Sequence, residues 1–485
     1  MKATPLLHAA EVRRLEELAE AEFGLSPYCM MQRAAAAALY QCRRHYPRAA
    51  HLHVVCGPGN NGGDGVELAR QARAAGMSAA VVSTVDLSAS RGAAGLAWHA
   101  YRRDGGAIDR LELGNVHRHD VIVDALFGTG LSRTVTGAAA TLIAAINGAA
   151  APCVALDIPS GINADTGACL GTAVRAHHTV TFIAPKCGLA IGDGPLHTGR
   201  VHLATLDLPR RVIAAGAAAL HLLAHPQWSL RRRRSHKGEH GRVMIVGGSV
   251  GMQGAASLAA KAALASGAGL VTVARPEVEG HGGSRRPMDE LMEVSFQSAD
   301  ALLTRLEATT AIAIGPGLGD SVLARTTFDT LCESNTALVV DADGLRLLAA
   351  APRRMTGHIL TPHPGEAGAL LGVNAATVEN DRPAALAELV RRYDATVVLK
   401  GFRTLVGAPD AVPRCVPFGN PGLATGGSGD VLAGIITALR ADYDAFDAAS
   451  RGAVTHALAA DRAARAGERG LLPSDVIEAL IACVN

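Results

Sequence analysis

The stretch GPGNNGGDG, Gly57 to Gly65, decides how the amino-terminal half of this chain is read. It follows the apolar run LHVVC and precedes VELARQARAAG, a helical pattern, so it joins a strand to a helix through a glycine turn. Gly57, Gly59 and Gly62 satisfy G-x-G-x-x-G, and Asp86 closes the next strand-like run, AAVVSTVD, where a ribose-binding acid belongs. The residues between the glycines argue against that fingerprint. Asn60, Asn61 and Asp64 put side-chain acceptors where a diphosphate needs bare amides and a helix N-terminus. Two amides and a carboxylate suit a hard cation or a neutral, many-hydroxyled group better.

With 485 residues, the chain is too long for one ordinary core, and two or three domains are expected. Apolar residues make up 49% and charged residues 19%, which indicates packed structure throughout and excludes a disordered chain. The formal net charge of +2 gives no overall field for nucleic acid or an anionic membrane, and neither partner is expected. Nine cysteines without a C-x-x-C pair read as buried thiols in a reducing compartment rather than a disulfide or zinc framework. The opening MKATPLLHAAEVRRLEELAEAEFG lacks the apolar core of a secretion signal and reads as a capped amphipathic helix, so a cytoplasmic location is expected. Val212 to Leu230 carries no Asp, Glu, Lys or Arg but contains Gly216, Pro226 and two histidines, which predicts a buried helix plus linker rather than a membrane span.

Strand-like runs alternate with alanine-rich helical runs: LHVVC, AAVVSTVD, DVIVDALFG, PCVALDIPSG, HTVTFIAP and VHLATLDLP. After a pause near residues 215–235 the pattern resumes with RVMIVGGS, LVTVARP, TAIAIGPG, TALVVDADG, GHILTPHPGE and ATVVLKG, and ends in a helical tail from Asp430. This predicts two tandem α/β domains, residues 1–222 and 235–485, joined by a linker over 223–234 that holds the basic run RRRRS.

In an open parallel sheet, loops at the carboxyl ends of strands line one crevice. Asn60, Asn61 and Asp64 follow one strand of the first half, Asp124 lies in VDALFGTGLSR, and Asp157 and Ser160 lie in LDIPSGINADTG. Convergence of these loops predicts one site. Oxygens of Asn61, Asp124 and Ser160 would enclose a monovalent or divalent cation, leaving Asp157 for proton transfer. Taken singly, each acid reads better as a turn or helix cap, and it is the convergence of the loops that favours a site.

The segments GPGNNGGDG, DALFGTGLSR and ALDIPSGINADTG, in this order, resemble the signature of the YjeF N-terminal domain, the NAD(P)H-hydrate epimerase family. The resemblance implies a Rossmann-like parallel-sheet sandwich that binds a hydrated nicotinamide dinucleotide as substrate, together with potassium held by Asn61, Asp124 and Ser160. It further implies substrate contacts from Asn60, Asn61, Gly62, Gly63 and Asp64, and from Gly128, Thr129, Gly130, Leu131, Ser132, Arg133 and Thr134. Asp157 would contact substrate and act as the acid/base. The early helix reads MQRAA where the family often has M-E-R-A-G, with Gln32 and Ala35 in place of Glu and Gly, a difference that bears on helix packing or a dimer contact. A homo-oligomer is expected.

In the second half, NPGLATGGSGDVLAGIITALRA, residues 420–441, sets a glycine-rich turn before an apolar helix that begins at Asp430. Amides of Gly427, Ser428 and Gly429, aided by the helix dipole, would form an anion hole for a transferred phosphoryl group, with Asp430 positioned to take a proton from the attacking hydroxyl. No Walker pattern occurs. KGFRT, GPGLGD and TPHPGE also end strands, and Lys400 suits a nucleotide phosphate. His363 stands between two prolines and by itself reads as structural.

These runs, with SHKGEHGRVMIVGGSVGMQGAA and VVDADGL, resemble the ribokinase-like YjeF C-terminal domain, the NAD(P)H-hydrate dehydratase. The resemblance implies that Ala255, Gly317, His363 and Asp430 contact hydrated substrate, and that Lys400, Gly401, Phe402, Arg403, Thr404 and Gly429 contact the adenine nucleotide. The implied activity is repair of NADH and NADPH hydrates by an epimerase fused to a dehydratase that uses ADP with magnesium, although ATP serves the residues equally well. Two other functions fit the same residues, a small-molecule kinase of this fold and a non-catalytic amino-terminal binding or scaffold module.

Overall fold

The computed structural model describes all residues except 84, 110–115, 230 and 278–288. Its contacts divide into two compact units, one of Pro5–Leu220 and one of Met1–Thr4 with His221–Asn485.

Among the described residues, seven parallel strands form the sheet of the first unit. Across it they run Ile108–Asp109, Ala79–Val82, Leu52–Cys56, Val121–Ala125, Cys153–Leu156, His178–Phe182 and Arg200–Ala204. The strand order therefore reverses between Leu52–Cys56 and Val121–Ala125, and the loops after those two strands flank the crevice where α/β sheets bind ligands. Near-continuous apolar runs suit strands covered on both faces. One face packs on the helices Ala9–Phe23, Pro27–His45, Asn60–Ala74 and Gly92–Arg103, and the other on Gly137–Gly148.

The second unit has the same logic with a larger sheet. From the edge strand Ala3–Leu6 the order runs Leu220–Leu223, Arg414–Cys415, Leu405–Gly407, Thr396–Leu399, Ile359–Leu360, Ala337–Val340, Ala311–Ile314, Arg242–Val246, Leu270–Pro276 and Met292–Phe296. The pairs from Thr396–Leu399 to Met292–Phe296 are parallel, and the two contributed by Leu405–Gly407 are antiparallel. Here the order reverses between Arg242–Val246 and Ala311–Ile314. The apolar helix Ser428–Leu439 is buried along its length from Val431 to Leu439.

The expectation of two tandem α/β domains with parallel sheets stands. Two local readings are corrected. The first residues do not all enter a helix: Ala3–Leu6 is a strand, and the helix Ala9–Phe23 begins after His8 with no side-chain cap and closes on Gly24 at φ 64°. Nor does Val212 to Leu230 hold a long buried helix, since the helix is Arg210–Ala214 and Leu220–Leu223 is a strand; Leu230 lies outside the described residues. Alanine-rich residues without charge satisfy either pattern, and pairing with Arg414–Cys415 selects the strand. Among the described residues no helix is long and apolar enough to cross a membrane. Cys29, Cys42, Cys56, Cys153, Cys169, Cys332 and Cys483 are free thiols.

Candidate functional sites and family

The glycines of GPGNNGGDG do steric work. The helix starts at Asn60, and a Cβ on Gly62 would stand 1.8 Å from the Gly57 carbonyl oxygen. A Cβ on Gly63 would meet Met31 at 2.6 Å and Ala94 at 2.9 Å, and one on Gly65 would meet Ala125 at 2.6 Å. Gly62 and Gly63 thus bring the helix down onto the turn and its neighbouring helices, and Gly63 faces packing rather than the crevice. Asn60 and Asn61 occupy the first turn, whose amides have no intrahelical acceptor.

Asn61, Asp124 and Ser160 come together as expected. Ser160 Oγ donates to Asp124 Oδ1 at 2.6 Å, Ser160 N donates to Oδ2 at 2.8 Å, and Leu126 N approaches Oδ1 at 3.3 Å. Asn61 Nδ2 donates to the Phe127 carbonyl at 3.0 Å, while Phe127 N donates to Ser160 Oγ at 2.8 Å. Two features fit a bound cation. Asn61 Oδ1 is buried without a hydrogen-bond partner, and the wholly buried Asp124 carboxyl has no ion-pair partner among the described residues. Burial pushes Asp124 up to about 6 against the pull of its hydrogen bonds from Ser160 and Leu126. An all-oxygen set of this kind suits a hard cation.

Asp157 is not free, as the sequence reading had it. Lys186 Nζ bonds Asp157 Oδ1 and also donates to Phe182 O at 2.8 Å and Thr181 Oγ1 at 3.2 Å. Asp157 holds φ at 64°, a left-handed conformation rare for a non-glycine residue, and Phe182 N approaches its Oδ1 at 3.3 Å. Two further carboxyls share this field. Glu16 is pushed up to about 7 by burial and by Asp157, and Asp64 is held well above the carboxylate range by burial, Asp157 and Glu16, with Lys186 opposing both shifts. Three carboxyls and one ammonium thus act on one another within one small region. Of the loop Gly128 to Thr134, Leu131 turns into the core, whereas Ser132, Arg133 and Thr134 are exposed.

In the second unit the strand ends meet at Lys400. Its Nζ lies 2.8 Å from Asp341 Oδ1 and 3.6 Å from Glu366 Oε2, and Thr361 Oγ1 donates to Asp341 Oδ1 at 2.8 Å. A Cβ on Gly429 would stand 3.2 Å from Lys400 Nζ and 3.6 Å from Asp341 Oδ2, so the amino end of the helix Ser428–Leu439 abuts this ion pair. Burial, then Asp341, raises Asp430 to about 7, and Lys400 acts in the opposite direction. Burial pulls the Lys400 ammonium down, but Asp341 and Glu366 outweigh it and leave it above its ordinary range. Of the three amides expected to form an anion hole, Ser428 N already makes a turn contact with Thr425 O at 3.2 Å, while its Oγ lies 3.4 Å from His456 Nε2.

Ala255 and Gly317 are neighbours at the strand-order reversal, where a Cβ on Gly317 would be 3.4 Å from that of Ala255. His363 caps the helix Pro364–Leu371, accepting from Gly365 N and Glu366 N, while Glu366 accepts from His363 N at 2.8 Å. The loop from Lys400 to Thr404 divides its side chains: Lys400 turns inward, Phe402 is exposed, and Arg403 donates to Pro417 O at 2.9 Å. Arg382 fixes this loop from behind through the carbonyls of Phe402, Leu399 and Lys400 at 2.6, 3.0 and 3.1 Å.

Residues 28–188 match the model of the YjeF-related protein N-terminus, and residues 243–482 match that of NAD(P)H-hydrate dehydratase. The chain is 43% identical to the bifunctional NAD(P)H-hydrate repair enzyme of Coxiella burnetii, covering 99% of this chain and 100% of the relative. The chain belongs to the bifunctional NAD(P)H-hydrate repair enzyme family. The Escherichia coli member is 41% identical, with 99% of this chain and 93% of the relative covered. A solved ADP/ATP-dependent NAD(P)H-hydrate dehydratase from Bacillus subtilis is 29% identical, with a TM-score of 0.47, covering 52% of this chain and 92% of that one.

Within this repair enzyme, sequence reasoning missed Glu16, Lys186, Asp341 and Glu366 as partners of the singled-out acids. Lys186 had a readable signal, a lone lysine just beyond the buried run HTVTFIAP, and Asp341 had another in VVDADGL. Glu16 had none, because on an amphipathic helix it resembles any solvated glutamate.

Proposed function

We propose that the first unit interconverts the two epimers of NADH and NADPH hydrate and that the second dehydrates the S form with ADP as phosphoryl donor, ATP being the other candidate. The hydrate carries a hydroxyl on the carbon next to the ring nitrogen, and hydroxide is a poor leaving group. In the second unit Asp430 takes the hydroxyl proton and the oxygen attacks the terminal phosphoryl, releasing AMP when ADP is the donor. The carbon–oxygen bond then breaks with expulsion of phosphate, the adjacent carbon loses a proton, and the dihydronicotinamide is restored. The observation that carries this reading is the raised carboxyl of Asp430 at the amino end of its helix, beside the Lys400–Asp341–Glu366 set. A base near 7 is half ionised at neutral pH and takes a proton readily. Gly427 and Gly429, with the helix dipole, support charge on the transferred group, and Ser428 contributes less because its amide is shared with Thr425. Magnesium would enter on the nucleotide phosphates and screen their charge.

In the first unit Asp157 and Lys186 would shuttle the proton that inversion at the hydroxyl-bearing carbon requires. Asn61, Asp124 and Ser160 would hold potassium, which offers the substrate a fixed positive charge at the crevice. Asn60 and the exposed residues Ser132 to Thr134 are the substrate contacts this geometry favours, and Ala255, Gly317 and His363 are those of the second site.

The test incubates the full chain with mixed epimers of NADH hydrate, magnesium, potassium and either ADP or ATP, following recovery of reduced-nicotinamide absorbance. Complete recovery is expected, cut in Asp157→Ala to the fast S fraction plus slow spontaneous epimerisation, and abolished in Asp430→Ala. Absence of recovery with either nucleotide overturns the reading, and accumulation of a stable phosphoester assigns the second unit to the kinases instead.

A further inference from the structure

The helix Pro27–His45 ends on His45, which packs on the sheet of the first unit at its Arg200–Ala204 edge. There the parallel register sets His178 opposite Arg200 and Val180 opposite His202, so the His178 and His202 side chains rise on one face. The His45 and His178 rings stack at 4.1 Å with 21° between their planes, and both stand about as near His202, at 5.0 and 5.1 Å. His178 Nδ1 lies 2.9 Å from His202 Nε2, while the buried Nε2 of His45 has no hydrogen-bond partner. One nitrogen from each of the three rings falls within a 4.8 Å span. His178 opens its strand and Lys186 lies beyond the strand's other end, so the cluster is separated from the Asp157 site by roughly 13 Å of extended chain.

The contact between His178 and His202 leaves the buried Nε2 of His45 unpartnered, which is unfavourable, and no protein group among the described residues satisfies all three rings at once. A single ion accepting all three lone pairs does. Nitrogen-only donors disfavour potassium, magnesium and calcium and favour the borderline transition cations. We infer that His45, His178 and His202 form a three-imidazole site for a divalent cation of the zinc class, with water in the fourth position. Three nitrogens about 2 Å from one ion stand roughly 3.3 Å apart, so the half-buried rings close in by roughly 1.5 Å at most. The proton between His178 and His202 moves to the other nitrogen of its ring, and no net deprotonation is required. Arg44 and Arg200 approach the same cluster and oppose a cation, so chelation by three rings, not the local field, supplies the affinity. A bound ion ties the edge strand to the end of the helix and stiffens a strand whose Val201 and Leu203 are 40% and 50% exposed.

The experiment adds zinc chloride alone to metal-free full-length protein, measuring stoichiometry by equilibrium dialysis and the ion's neighbours by X-ray absorption. One ion per chain with imidazole nitrogens around it is expected, together with a higher melting temperature. His45→Ala and His202→Ala should each weaken binding at least about tenfold, and His225→Ala should leave it unchanged. The absorption spectrum of the unaltered chain decides the matter even where a variant folds poorly. No uptake, sulfur neighbours from cysteine, or uptake indifferent to His45 and His202 overturns the inference.

Discussion

Lys400 and Asp341, 59 residues apart in the chain, meet at 2.8 Å with the Asp341 side chain only 2% exposed, directly beneath the amino end of the helix that carries Asp430. The ammonium is the counter-charge that lets three acids, Asp341, Glu366 and Asp430, share one small volume.

Dehydration should therefore follow the ionisation of Asp430. The base is active when ionised, so kcat/KM rises with pH through about 7, the raised position of this carboxyl. Lys400 holds that value down, and Lys400→Met should move the rising limb to higher pH as well as lower the rate. Asp430→Asn should reduce kcat by about 10²–10⁴-fold. A pH–rate profile of the three proteins checks this, and an unmoved limb in Lys400→Met breaks the proposed coupling.

The Asp341 side chain also holds the second unit together. Asp341→Ala leaves Lys400 with Glu366 at 3.6 Å and the more distant charge of Asp430, and the loss should be about 3 kcal/mol, the low end for breaking a buried pair. Urea unfolding of the full chain, followed at Trp228 in the second unit, reads the shift.

Potassium should matter more at neutral than at acid pH. A buried acid raised to about 6 takes up a proton on folding between its ordinary value and 6, so Asp124 lowers stability as pH rises through that window. A cation binding the ionised form offsets this loss. Potassium should thus raise the melting temperature of the first unit above pH about 6 and have little effect near pH 4, and Asp124→Asn should remove the difference. Scanning calorimetry in potassium and in tetramethylammonium salts makes the comparison.

Lys186→Met should abolish epimerisation while dehydration of the S epimer continues, because the partners of the Lys186 ammonium, Asp157, Thr181 and Phe182, all belong to the first unit. Separate assays of the two half-reactions distinguish this from general unfolding.

The glycine turn offers a paired test of packing. A Cβ at Gly62 would lie 1.8 Å from a backbone oxygen, whereas one at Gly59 meets nothing within 4 Å at a φ of −91°. Gly62→Ala should cost about 1–3 kcal/mol or more, and Gly59→Ala well under 1 kcal/mol. Thermal unfolding of the two variants side by side gives the contrast.

The sequence by itself determined the two α/β units and their runs of parallel strands, because apolar runs bounded by glycine turns and separated by helical stretches admit few other arrangements, but not the antiparallel pairs made by Leu405–Gly407. It also marked the strand ends where the chemistry is proposed, since Asn61, Asp124, Asp157, Ser160 and Asp430 each close or follow such a run or open the helix after it. It did not separate strand from helix in Val212 to Leu223, where uncharged alanine-rich residues suit both. Tertiary structure decided the partners. Lys186 occupies Asp157, Asp341 and Glu366 occupy Lys400, Glu16 joins the acids from a distant helix, and His45 meets His178 and His202 at a sheet edge. Burial and through-space charge set the ionisation of each group, and both depend on side chains brought together from remote segments, which no local pattern records.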